Sequence, residues 1–125
     1  MPRRLGRLMQ RKDFLRVAAG RRKWVASGLI LQILPAEAKD LAGAHAERRR
    51  VGFTASKKVG NAVARNRAKR RLRAAVHQVM SEHAAPAHDY VVIARNETPD
   101  RPYISLLTEL ELALKRLGAW RNTAD

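Results

Sequence analysis

KKVGNAVARNRAKRRLRAAVHQVMSEH, residues 57–83, carries two patterns on one segment. Leu72, Val76, Val79, Met80 and His83 fall at i, i+4, i+7, i+8 and i+11, which is one stripe of an α-helix. The helix is expected over residues 62–83, with Asn61 as its N-cap and Ala84-Ala85-Pro86 as its stop. At 100° per residue, Arg67, Arg70, Arg71 and Arg73 project off that stripe. A helix that is apolar on one side and cationic elsewhere needs a sheet or other helices beneath it.

Upstream, residues 50–56 read as a strand, with Val51, Phe53 and Ala55 on one face and Gly52, Thr54 and Ser56 on the other. Residues 57–61 are a basic turn with room for a further short strand near Lys57. Residues 24–34 read as one strand, dense in strand formers from Leu29 to Leu34 and ended by Pro35. A short helix is expected over residues 11–19, with Phe14, Leu15, Val17 and Ala18 apolar and Gly20 as its stop. Arg21-Arg22-Lys23 is a basic turn, and residues 3–10 read as loosely ordered. The alanine-rich residues 36–47 fit either a surface loop or a marginal helix.

Downstream, residues 90–94 are a short apolar run, hence a buried strand, and residues 97–102 a turn. Ile104, Leu107, Leu110, Leu114 and Leu117 make the apolar side of a last helix, with Pro102 at its first position and Gly118 as its stop. The sum is an α+β sandwich, helices over one small sheet, in a single domain spanning residues 1–125. Residues 1–8 and 119–125 read as a flexible basic arm and a tail.

Twenty-six Lys and Arg against eleven Asp and Glu give a formal charge of +15, which points to a polyanionic partner. The charge is clustered, for no acid occurs from Arg48 to Ser81. No cysteine is present, so disulfides and thiolate metal sites are excluded. No apolar run approaches the ~20 residues that span a bilayer. The expectation is a cytoplasmic protein without a membrane partner. His77 and His83 sit on the long helix, His45 and His88 in loops, and no HxxH or HxxxH pair occurs. No metal site and no protein-borne catalytic constellation is expected.

The basic helix is costly unless it has a partner. Arg65/Lys69, Lys69/Arg73 and Arg67/Arg71 are like charges at i and i+4, which destabilise a helix. Cations on one exposed face can meet successive phosphates, and guanidinium groups grip phosphate oxygens bidentately. Asn66, set among them, can bond a base edge or a 2′-hydroxyl. Gly60-Asn61 offers backbone N–H groups at the helix start. Trp24 and Trp120 lie near element ends and read as packing residues, and Glu109 and Glu111 as a solvated face.

The run Ser56-Lys57-Lys58-Val59-Gly60-Asn61-Ala62-Val63, then Arg65-Asn66-Arg67, Lys69-Arg70 and Arg73, resembles the RNR signature of the bacterial ribonuclease P protein subunits. Three flanks agree in order: Asp13-Phe14, Arg50-Val51-Gly52-Phe53, and Asp89 through Arg95. The resemblance covers roughly residues 5–117.

It implies an αβββαβα fold with a left-handed βαβ crossover, of the kind found in the second domain of a small-subunit ribosomal protein. It implies a non-catalytic subunit, one copy per RNA, assisting an RNA that carries the active site and its Mg²⁺ and removes the 5′ leader of precursor tRNA. Carried over by position, Lys57, Lys58, Asn61, Arg65, Asn66, Arg67, Lys69, Arg70, Arg71 and Arg73 face the RNA subunit. Phe14, Thr54 and Ser56 line a cleft for the leader. Relatives often carry aromatics where this chain has Ala18 and, on the first strand, Leu31. A structural RNA-binding protein of ribosomal type is the nearest alternative. A DNA-binding module and a membrane-surface helix fit less well, since neither helix-turn-helix nor zinc spacing is visible.

Overall fold

The computed structural model describes residues 5–36 and 48–122. Their elements are β1 (Gly6–Arg7), α1 (Arg11–Ala19), β2 (Lys23–Val25), β3 (Leu29–Pro35), β4 (Arg49–Thr54), a 3₁₀ turn (Lys57–Val59), α2 (Ala62–His83), β5 (His88–Ala94) and α3 (Tyr103–Arg116). The strands form one sheet in the order β1-β4-β5-β3-β2. β1, β4 and β5 run parallel, while β3 is antiparallel to both β5 and β2. The α+β class and the αβββαβα order hold, with β1 added at one edge.

The third of those strands is not near Lys57, where a 3₁₀ turn stands. It comes from residues 24–34, which are a hairpin rather than one strand. Ala26 donates its N–H to Leu29 O at 2.9 Å, and the chain reverses there. The apolar run hid the reversal, although Ser27-Gly28 is a turn dipeptide. Gly28 gives room at this corner: a Cβ there would lie 2.5–2.8 Å from side-chain atoms of Arg101, Leu106 and Glu109, which would have to shift.

Residues 36–47, left between loop and helix, fall largely outside the described residues. The arm and tail are more engaged than expected where they are described. Gly6 and Arg7 pair with Arg50 and Val51, Leu8 is buried, and Ala119 is fully buried. Pro102 sits one residue ahead of its expected place, as N-cap of α3, and Gly118 ends that region at φ +75°.

β5 is central and buried on both faces, which explains its continuous apolar run. On one face Leu29, Leu31, Ile33, Val51, Tyr90 and Val92 meet Leu72, Val76 and Met80 of α2 and Leu106, Leu110 and Leu114 of α3. Ala68 and Ala75 let α2 approach closely. Ile104, assigned to the apolar side of the last helix, is instead 70% exposed. Tyr90, fully buried, donates its hydroxyl to Ala85 O at 2.6 Å. Buried Arg49 donates to the carbonyls of Met80 (2.8 Å) and Ser81 (3.1 Å), in the last turn of α2, where a cation suits the helix dipole.

The other face is smaller: Leu8, Val17 and Val91 are buried there, with Phe14, Leu34 and Ile93 packed against them. α1 crosses this face at one end only. It covers the row Arg50–Asp89–Leu34 and leaves half open the row Thr54–Ile93–Ile30–Val25.

Candidate nucleic-acid interface

The basic helix begins on a rigid corner. Ser56 Oγ accepts the Lys58 N–H at 3.3 Å, capping the 3₁₀ turn. Gly60 follows at φ +141°, a conformation L side chains rarely adopt, and a Cβ there would lie 2.9 Å from Ala64 Cβ. Its own N–H is spent on Lys57 O. Asn61 Oδ1 accepts the Ala64 N–H at 2.9 Å, the expected N-cap. Lys57 and Lys58 are thereby held exposed just before α2.

Along α2 the cations separate into two groups. Asn66 and Arg70 are exposed, and among the described residues neither their side chains nor that of Lys69 makes a hydrogen bond or ion pair. Arg73 is exposed with its guanidinium 5.8 Å from the Phe53 ring centroid. Arg65 folds back to Gly60 O at 3.0 Å. Arg67 and Arg71 leave the core stripe as expected, but they lean on the turn between β5 and α3 rather than on solvent alone. Arg67 Nε donates to Pro99 O at 2.8 Å, and Arg71 Nη1 to Thr98 O at 2.5 Å.

The open row on the α1 face adjoins this helix start. Phe14 lies over Gly52: a Cβ on Gly52 would come within 2.5 Å of the ring. Thr54 is two residues further on the same face, and Ser56 stands just past the strand end. Beyond Thr54 an open pocket of about 410 Å³ is lined by Ile30, Ser56, Lys58, Val59, Ala94, Arg95 and Asn96. Phe14, Thr54 and Ser56 therefore lie along one path that ends at Lys58. Its apolar floor, Ile93 and Ile30, and its rim, Arg95 and Asn96, were not singled out from the sequence. Leu31 is fully buried on the opposite face, so the first-strand positions beside the path are Ile30 and Gln32. Ala18 is exposed on α1.

What fixes α1 at the path's edge is an ion network. Arg50 grips Asp89 with two bonds, Nε–Oδ1 at 2.9 Å and Nη2–Oδ2 at 2.8 Å. Arg16 reaches the same carboxylate at 2.6 Å and Asp13 at 3.3 Å. Burial pushes the Asp89 pKa up, but the hydrogen bonds and charges of Arg50 and Arg16 outweigh it and hold it below the usual carboxylate value. The network joins the three flanks singled out above: Asp13 beside Phe14, Arg50 two residues before Gly52, and Asp89 near the start of β5.

Other expectations change in detail. Glu109 is not a solvated face residue: it accepts from the Gly28 N–H at 2.9 Å and from Arg101 at 2.5 Å. Glu111 pairs with Lys115 at 3.4 Å. His88 opens β5 rather than sitting in a loop, and His45 lies outside the described residues. Both tryptophans pack, as read: Trp120 stacks on His83 with centroids 4.0 Å apart, and Trp24 lies under Arg116. Among the described residues no three His, Asp or Glu side chains come together as a metal cage. No helix described is long and apolar enough to cross a membrane.

The family model described as Ribonuclease P matches residues 1–118. The chain is 61% identical to the ribonuclease P protein component of Paramagnetospirillum magneticum, over 98% of this chain and 90% of that one. It is 47% identical to that of Ruegeria pomeroyi, over 90% and 86%. Among solved structures, the RNase P protein of Staphylococcus aureus superposes with a TM-score of 0.72 at 26% identity, over 92% of this chain and 97% of that one. The RNase P protein from Thermotoga maritima has the same fold, with a TM-score of 0.70. Sequence signature, sheet order and relatives converge, and the chain belongs to the ribonuclease P protein family.

Proposed function

We propose that this chain, a protein component of the ribonuclease P ribonucleoprotein in tRNA processing, serves it as a non-catalytic RNA-binding subunit. The exposed face of α2 and the 3₁₀ turn hold the RNA subunit through Lys57, Lys58, Asn66, Lys69, Arg70 and Arg73, with Arg65 and Arg67 at its margin. Asn61 shapes the helix start. The path from Phe14 past Thr54 to Ser56 takes the single-stranded 5′ leader of precursor tRNA. The observation that carries this reading is continuity: the leader path ends at Lys58, where the cationic face begins. Substrate strand and RNA subunit can then be held side by side.

In this reading the Mg²⁺ of the reaction is held by the RNA subunit. The protein's contribution is attraction and alignment. Neutralising phosphates lowers the repulsion between two RNAs, and an aromatic with half-buried aliphatics offers bases a surface. One protein per RNA, in the cytoplasm, completes the proposal.

The test is reconstitution. At low Mg²⁺, adding the purified chain to a bacterial ribonuclease P RNA should stimulate 5′ cleavage of precursor tRNA. The chain alone should cleave nothing. RNA-free cleavage by rigorously purified protein would overturn the non-catalytic role.

A further inference from the structure

The cations of α2 differ in what their guanidinium groups already hold. Arg71 is half-buried, and its two terminal nitrogens donate to two carbonyls of one turn, Thr98 O and Arg101 O. Thr98, fully buried, locks the same turn from its other side. Its hydroxyl donates to Gly28 O at 2.6 Å and accepts the Arg95 N–H at 2.7 Å. Arg95 in turn donates to Ala26 O at 2.7 Å. The turn is thus clasped between α2 and the β2–β3 hairpin, and its outward residues, Arg95 and Asn96, line the open pocket beside Ser56 and Lys58.

A guanidinium is a planar fork, and a fork already seated on two carbonyls cannot also seat on a phosphate without releasing them. We infer that Arg71 is a positioning residue rather than an RNA contact: it fixes the β5–α3 turn so that Arg95 and Asn96 stand at the mouth of the leader path. This rests on the proposed function and divides α2 by role. Arg70, one residue earlier and exposed, belongs to the phosphate-binding face. Arg71, at the next position, acts through the turn on the substrate side.

Salt dependence separates the two roles, because only a residue that displaces counterions from a phosphate contributes to the slope of log affinity against log salt. Six proteins are compared in complex with a bacterial ribonuclease P RNA: parent, Arg70→Ala, Arg71→Ala, Arg71→Lys, Thr98→Val and the combination of Thr98→Val with Arg71→Ala. Arg70→Ala should weaken RNA-subunit binding and reduce the salt slope by about 0.7–0.9. Arg71→Ala should keep the parental slope and RNA-subunit affinity while raising KM for precursor tRNA about three- to tenfold, the scale of lost turn hydrogen bonds. Arg71→Lys retains the charge but not the fork, so its KM should lie between those of the parent and Arg71→Ala. Thr98→Val removes no charge, only the hydroxyl that joins Gly28 O and the Arg95 backbone N–H; it should raise KM in the same way, and combined with Arg71→Ala it should be less than additive.

A slope reduced by Arg71→Ala as much as by Arg70→Ala overturns the inference. So does a parental KM in Arg71→Lys, which also decides the matter should circular dichroism show Arg71→Ala unfolded. A slope unmoved by Arg70→Ala would instead strike at the RNA-binding face itself.

Discussion

At the scale of single residues, the packing of Phe14 and its proposed stacking on a leader base can be separated by substitution. Phe14 packs over Gly52 and stays half-exposed along the proposed leader path. A stacked base is worth about 1–3 kcal/mol, whereas a fully buried Phe lost to Ala costs about 3–5 kcal/mol of stability. Phe14→Leu keeps most of the volume and removes the π face. Its holoenzyme should bind leader-bearing precursor tRNA less tightly while binding mature tRNA like the parent. Equal affinity for the leader-bearing substrate would leave Phe14 a packing residue only. His88 supplies a pH signature. Burial pushes its pKa down, the charges of Arg22 and Arg121 add to this, and its bond to Pro86 O and Asp89 oppose it. Below the ordinary histidine pKa of ~6.5 the unfolded chain takes up a proton that the folded chain refuses. Stability should therefore rise with pH up to about 6.5, and His88→Gln should flatten that rise in melting temperature. Residue identity at such points was legible; partners were not. Glu109 looked like a solvated acid because nothing in the order of residues tells that Gly28 and Arg101 meet it. Leu31 was placed beside the path because reading residues 24–34 as one strand left its face undetermined.

Whole elements were more legible than their attachments. The bounds of α1 and α2 follow from periodicity and stop signals, and Asn61 caps α2 as its side-chain chemistry demands. β1 was not foreseen, since two residues carry no pattern, and the β2–β3 reversal lay inside an apolar run. The two groups of α2 cations could not be told apart either, for the turn that takes Arg67 and Arg71 is far along the chain. α1 has one fully buried residue, Val17, and is also tied to the sheet through the Asp89 network. Asp89→Asn keeps the shape and removes the carboxylate that Arg16 and Arg50 share. Discounted because Arg16 and Arg50 stay within reach of water, the expected loss is about 2–4 kcal/mol in chemical denaturation. It should fall first on α1, seen as faster amide exchange there than in α2. A loss under half a kilocalorie would mean that packing alone seats α1.

For the molecule as a whole, the surplus of cations is the first fact and the sheet order the second. If about six phosphates are engaged, raising salt from ~50 to ~200 mM should cost on the order of 10³ in affinity for the RNA subunit. A nearly flat dependence, read by filter binding over that range, would contradict a phosphate-held interface. The sheet order bears on something else, the order in which a ribosome delivers the chain. β5 is the central strand, yet it is the last to be made: Leu29 waits for Ala94, and Val51 waits for Tyr90. Until then only the short hairpin and the edge pairing of β1 with β4 are available, and α2 has no sheet beneath its apolar stripe. The nascent chain thus exposes its most cationic helix, unseated, before the strand that would seat it has left the exit tunnel. Polyanions close to the exit tunnel, ribosomal RNA among them, are its first neighbours during that interval.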